Sequence, residues 1–239
     1  MFSRDYGRLL YTDTTSILTS PTRWDASDWE TAGALGTVIL ASAAFDRSAR
    51  DWVRDHHTLG RDRFFKTSQR FGAEWSFAVL GGFEAWGVAT GDRRAQAVVM
   101  DGLASSIIAG GLIEPVLKYS IGRVRPNTTS RTFEFKPFSG HQSFPSGHTT
   151  QAFAVASVIA EHYDEWWVRT LAYGTASLVA VARVEQNTHF ASDVVAGAIL
   201  GTVVGRAVVR RHNGAKTAVF EVQPYVAGSG YGLRFEKDF

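Results

Sequence analysis

Cysteine is absent from the 239-residue sequence. That excludes disulfides, zinc–thiolate sites and a cysteine nucleophile. It leaves the compartment open, since exported and cytosolic proteins alike can lack thiols. A charge excess of one sign is also missing. The 25 basic residues nearly balance the 23 acidic ones, so the basic surplus of a nucleic-acid binder is not there and no such partner is expected. Arg206, Arg210 and Arg211 come nearest to a patch, but they close a helical segment, where the helix dipole favours cations. Long uncharged apolar runs are scarce too. The best candidate, 31–45, is short and rich in Ala and Gly, and 102–113 and 194–205 are shorter. None reaches the ~18 residues of a membrane span. A mean hydropathy of −0.08 points the same way, to a soluble or surface-bound protein ahead of an integral one. The opening MFSRDYGRLLYTDTTS holds no apolar signal-peptide core. The protein is therefore not exported by that route, or this chain is the mature form.

What is present reads mostly as helix. Apolar residues recur at helical spacing in six long segments. These run over about 28–45, 67–90, 92–126, from just after Pro145 to 162, 165–183 and 191–212. Pro126 cannot continue the third segment and ends it. Residues 127–145 carry Asn, Thr, Ser, Gly and two prolines and read as a long loop; loops of that length are usually functional or mobile. The tail, 218–239, alternates in VFEVQPYV and YGLRFE around an AGSG turn signal, which predicts a β-hairpin. The expected architecture is a single all-α domain: a six-helix bundle over 28–212, with a small hairpin at its C-terminal end. Bundles place their sites on facing helices and at helix ends.

Three clusters fall at such ends. KYSIGRVRP puts Lys118 and Arg125 seven residues apart, close to two helical turns, so both cations share a face. Such a pair clamps a dianion, although a solvated C-terminal turn has the same composition. FPSGHTTQ places Pro145, Ser146 and Gly147 before a helix opening at His148. A helix start binds anions through its free N–H groups, and Gly147 allows close approach; Ser146 also suits a plain N-cap. In ARVEQNTHFASD, His189 and Asp193 lie four apart, with Arg183 upstream. A carboxylate at that spacing can keep one imidazole nitrogen protonated and the other as a lone pair. That is the arrangement of a nucleophile with its orienting group, and also of an ordinary helical His–Asp pair. Two histidines, three cations and a helix start together form one coherent phosphate site.

These residues resemble the type 2 phosphatidic acid phosphatase (PAP2) family, which shares its core with vanadium haloperoxidases. The family pattern is K-x6-RP, then PSGH, then SR-x5-H-x3-D. Here it corresponds to Lys118–Pro126, Pro145–His148 and Arg183–Asp193, with Ala182 where the family has Ser. The resemblance implies a phosphatase with a phosphohistidine intermediate. In it His189 attacks phosphorus, Asp193 orients it, and His148 protonates the leaving oxygen and then activates water. Lys118, Arg125 and Arg183, with Ser146 and Gly147, hold the phosphoryl oxygens. No metal or other cofactor is implied, and vanadate is expected to inhibit by mimicking phosphate. The substrate is expected to be a phosphorylated small molecule or lipid, a phosphomonoester or diphosphate, and the location periplasmic or membrane-associated.

Two alternatives stand beside this reading. One is a vanadate-dependent haloperoxidase with His189 as the metal ligand. The other is a non-catalytic phosphate- or lipid-binding protein, against which the intact His148, His189 and Asp193 argue. The segment DRFFKTSQRFGAEW (62–75) mixes Phe64, Phe65, Phe71 and Trp75 with Arg63, Lys66 and Arg70. It fits a bilayer interface or a helix packed on the bundle. SGHQSFPSGH repeats Ser-Gly-His seven residues apart, and only the second copy adjoins an apolar helix. His141 is therefore expected to be a surface loop residue or a contact to the substrate's leaving group, but not the acid.

Overall fold

The computed structural model of the chain describes residues 4–56, 58–217, 220–227 and 230–237, with side chains described over 6–56 and 58–214. Nine helices run through the described residues rather than six. They are α1 (Arg4–Leu18), α2 (Ala26–Ala43), α3 (Asp46–Asp55), α4 (Leu59–Ser68), α5 (Glu74–Thr90), α6 (Arg93–Ile121), α7 (Gly147–His162), α8 (Trp166–Glu185) and α9 (Ala191–Thr217). The three additions are α1, α3 and α4. In α3, DRSARDWVRD, only Asp46, Arg50 and Val53 are buried. Two of these three are charged, so an apolar periodicity had little to register.

The centre of the bundle is α7, which is buried on all sides from Thr149 to Ala160 apart from Phe153. A helix apolar all round is a core helix. Its Val155, Val158 and Ile159 pack on Leu80, Val98 and Val209, and its Ala154 packs with Ala104, Ile108 and Val204. Helix α9 crosses it closely on a row of glycines spaced by four. A Cβ on Gly201 would sit 2.3 Å from the Thr150 carbonyl oxygen, and one on Gly205 2.1 Å from Ser157 Oγ. This close crossing brings the N-termini of α7 and α9 to the same end of the bundle.

The third predicted helix is long but differs in two ways. It contains a π-helical stretch, Ser106–Ile113, and it stops at Ile121 instead of Pro126. Gly122 turns left-handed at φ 59°. A Cβ there would lie 1.9 Å from the Lys136 carbonyl oxygen, so glycine is required on both counts. The chain then runs extended. Val124 N–H donates to Glu134 O at 2.9 Å and Lys136 N–H to Gly122 O at 2.8 Å. Lys118 and Arg125 therefore do not share a helix face.

At the far end of the bundle a polar network ties α1 to α6, α7 and α9. Asp101 lies 2.7 Å from His162 Nε2 and 2.5 Å from His212 Nδ1, and His212 Nε2 lies 2.7 Å from Asp13. Both ring nitrogens of His212 face carboxylates, so the ring is held as the cation.

In the tail, Phe220–Ala227 pairs antiparallel with Gly230–Lys237. Residues 218, 219, 228, 229, 238 and 239 of the expected hairpin lie outside the described residues.

Continuous helix also changes the membrane arithmetic. Arg93–Ile121, with 29 residues, and Ala191–Gly214, with 24, are long and apolar enough to cross a bilayer, although about half of each window is buried inside the protein. The runs counted in the sequence broke at each charged residue and came out shorter.

Candidate active site

The start of α9 fixes the first part of the site. Asp193 lies in its opening turn and is wholly buried. Its Oδ2 accepts from Phe190 N–H at 2.9 Å and from Ser143 Oγ at 2.6 Å, and its Oδ1 accepts from Arg123 Nη1 at 2.6 Å. His189 is also buried, and its Nδ1 lies 2.7 Å from the Ser143 carbonyl oxygen. The nearest Asp193 oxygen is 3.7 Å from that same nitrogen, beyond hydrogen-bond reach. A carbonyl only accepts, so Nδ1 carries the proton and Nε2 keeps its lone pair. The tautomer is thus set by the Ser143 backbone. Asp193 acts on the ring through its charge and through Ser143, which it grips by the hydroxyl. Burial pushes the His189 pKa down, Asp193 opposes this, and Arg183 and Arg125 add to it. Burial alone would raise the Asp193 pKa, but His189, Arg123 and Ser143 outweigh it and hold the carboxyl below its ordinary range.

The start of α7 supplies the second part. Ser146 is buried; its N–H donates to Asp193 O at 3.0 Å, and its hydroxyl accepts from Thr149 Oγ1 at 3.0 Å. It makes no side-chain cap. The early N–H groups of the helix remain for an anion. Gly147 is needed here for close approach: a Cβ would lie 2.4 Å from Glu114 Oε1 and 3.3 Å from Lys118 Nζ. His148 follows, with its pKa lowered to about 4 by burial first, then by Arg183, His189, Lys118 and Arg125. Those same groups are the ones the sequence grouped together, and here they act on one imidazole.

The cations differ in how free they are. Lys118 Nζ is bound at 2.5 Å to Glu114, a buried carboxylate one turn earlier. Arg183 donates from Nη1 to Gln69 Oε1. Its Nε is buried without a protein hydrogen-bond partner, as are those of Arg50 and Arg123, a donor left open to an acceptor. Burial, and then Arg125 close by, make the Arg183 charge costly; a dianion between them would relieve both.

Sequence reasoning missed five residues here: Arg123, Ser143, Asp46, Glu114 and Gln69. His141 is half-buried and contributes nothing to the hydrogen bonds described above. Ala182, at the position of the family serine, is fully buried. Among the described residues, no group of three or more His, Cys, Asp or Glu side chains is set to hold a metal ion.

The fold and this end of the bundle define a class: a helical bundle that gathers two histidines and three cations where the ends of its helices adjoin. Residues 102–216 match the model of the PAP2 superfamily. The chain is 34% identical over 131 residues to a lipid A 1-phosphatase of Porphyromonas gingivalis, which covers 54% of this chain and 25% of that protein. It is 34% identical over 121 residues to a lipid A 1-phosphatase of Rhizobium etli, covering 47% of this chain and 51% of that one. The chain thus spans between a quarter and about half of the length of these curated relatives. The crystal structure of a transmembrane PAP2-type phosphatidylglycerolphosphate phosphatase from Bacillus subtilis superposes with a TM-score of 0.59. That match has 21% identity and covers 76% of this chain and 95% of the other, a likeness of fold.

The lowered His148 pKa gives a testable linkage. A bound dianion offsets the charges of Arg183, Lys118 and Arg125 and so raises the His148 pKa from about 4. Binding should therefore take up a fraction of a proton near pH 5, and affinity should rise as pH falls. Calorimetry with sulfate, which does not itself titrate there, in two buffers of different ionisation enthalpy measures this. Identical heats in both buffers would rule it out.

Proposed function

We propose that this chain is a membrane-associated lipid phosphate phosphatase that works through a phosphohistidine intermediate and needs no metal ion. The observation that carries the reading is a histidine fixed with its Nε2 lone pair free, in the same site as a buried Arg183 Nε–H that has no protein acceptor. In the first step His189 Nε2 attacks phosphorus, the bond to the lipid oxygen breaks, and protonated His148 gives that oxygen its proton. In the second, His148 takes a proton from water, the water oxygen attacks phosphorus, and the P–N bond breaks to release phosphate. Arg183, Arg125, Lys118 and the backbone at Gly147 carry the charge on the phosphoryl oxygens. Phosphoryl transfer rests mainly on such positioning and charge stabilisation. Vanadate should compete for the same groups.

Two observations support a lipid substrate met at a membrane. Helix α2 buries none of its residues, yet it carries Val38 and Leu40 at 53% and 75% exposure. Trp86, Val88, Trp166 and Leu171 are exposed as well. Apolar surface on this scale marks a contact with membrane or partner, and the relatives named above are phosphatases of lipid A. The test is phosphate release from a panel of phosphatidate, lipid A, prenyl diphosphate and sugar phosphate, with vesicle flotation alongside. Lipid phosphates should turn over and the protein should float. Preference for a sugar phosphate, with no flotation, would overturn the reading.

A further inference from the structure

Away from the histidines, an apolar groove of about 580 Å³ lies between α5, α7 and α8. No charged side chain lines it. Its floor is made of small residues, Ala152 and Ala156 from α7 and Ala172 and Ala176 from α8, so three helices meet there without filling the space between them. Phe71, from the turn before α5, lines it, as do Trp86 near the end of α5 and Trp167 at the start of α8.

One end of the groove abuts the phosphate site. Ala152 lies one helical turn after His148 on α7. Phe71 belongs to the short 3-10 turn Gln69–Gly72. In that turn Gln69 accepts from Arg183, and Gly72 lies against the His148 carbonyl, where a Cβ would come within 2.4 Å of the oxygen. From Ala152 to Tyr163 the groove follows α7 for about 16 Å at the helical rise of ~1.5 Å per residue.

We infer that this groove holds one hydrocarbon chain of the phosphorylated lipid whose phosphate sits between His189 and Arg183. The inference rests on the phosphatase reading and extends it to a subsite. A channel that starts beside the acid, carries no charge and runs along one helix suits a single chain continuous with the headgroup. It fixes the substrate class as an amphiphile with at least one long chain.

Gly82 of α5 lines the groove, and a Cβ added there meets nothing within 4 Å. Gly82→Phe therefore adds a ring to the groove wall with no clash at its Cβ. It should lower kcat/KM for dipalmitoyl phosphatidate about tenfold or more, the scale on which a blocked apolar pocket discriminates. Dihexanoyl phosphatidate and p-nitrophenyl phosphate should turn over as in the unaltered protein. Equal losses on long and short chains, or no loss on the long one, would overturn the inference.

The cysteine-free sequence offers a second measurement that does not use activity. In Gly82→Cys the single thiol should react with a maleimide in micelles. A non-hydrolysable dipalmitoyl phosphonate should slow that reaction, and inorganic phosphate or a dihexanoyl phosphonate should not. Equal protection by phosphatidylcholine would show a groove open to any lipid and would overturn the assignment to the substrate's chain. If the unaltered protein releases phosphate from no substrate, the phosphatase reading fails by itself, and the labelling still decides what the groove binds.

Discussion

His189→Ala should abolish turnover, with a loss of about 10⁶-fold, the scale seen when a nucleophile is deleted from a preassembled site. The expectation rests on what the ring is bonded to. Its Nδ1 is committed to Ser143 O at 2.7 Å, so Nε2 is the only nitrogen left to attack. The substitution removes one hydrogen bond and leaves the Asp193–Arg123 pairing intact, so the variant should fold and still bind sulfate or vanadate. Rapid quench of the unaltered protein and labelled phosphatidate in alkaline detergent should trap acid-labile, alkali-stable phosphate on the chain. None should be trapped on His189→Ala. His148→Ala gives the complementary result. With p-nitrophenyl phosphate the leaving group needs little protonation, so the first step survives. The second step lacks its base, and phosphate should accumulate on the protein. Normal activity in His189→Ala, or phosphate trapped on it, would end the proposed mechanism.

The same site shows how far a sequence carries. The spacing in Arg183–Asp193 and the helix start at His148 are local properties, and they place four of the residues that meet here: Arg183, His189, Asp193 and His148. The Lys118–Arg125 spacing led to the right neighbourhood through the wrong geometry. Gly122 breaks the helix between them, and the loop at Lys136 returns to pair with it. Glu114 was legible in principle, since it stands one turn before Lys118 and forms the ordinary i,i+4 ion pair. Ser143 was not legible, because the carbonyl that sets the His189 tautomer is one every residue has, and its hydroxyl meets Asp193 50 positions away. Asp46 and Gln69 lie 146 and 114 positions from the partners they meet; no periodicity records such a pairing. The bundle itself was easier to read. Its apolar helices repeat at the helical spacing, whereas α3 and α4 are short and charged and bury little.

Arg123 falls inside the first motif but at none of its named positions, and its loss should be the most damaging to stability. The residue is 2% exposed. Nη1 donates to Asp193 Oδ1 at 2.6 Å and to Ser192 Oγ at 2.7 Å. Nη2 donates to Asp46 Oδ2 and to Thr132 O, both at 2.7 Å. Its face lies 4.2 Å from the Phe190 ring centroid, a cation–π contact of roughly 1–2 kcal/mol when desolvated. Arg123→Ala leaves Asp46 and Asp193 buried with no counter-cation. Removing one partner of a buried ion pair costs about 3–5 kcal/mol, against a total stability of about 5–15 kcal/mol for a folded protein. The variant should melt far below the unaltered protein or fail to accumulate. Arg123→Lys keeps the charge but loses the fork that spans both carboxylates. It should fold, and kcat should fall more than KM rises, because Asp193 then loses its fixed place beside Ser143 and His189. Arg123→Met with Asp46→Asn removes a cation and an anion together and should recover part of the lost thermal stability without recovering kcat. That split separates the two roles of the residue, and a melting temperature unchanged in Arg123→Ala would show that neither carboxylate depends on it.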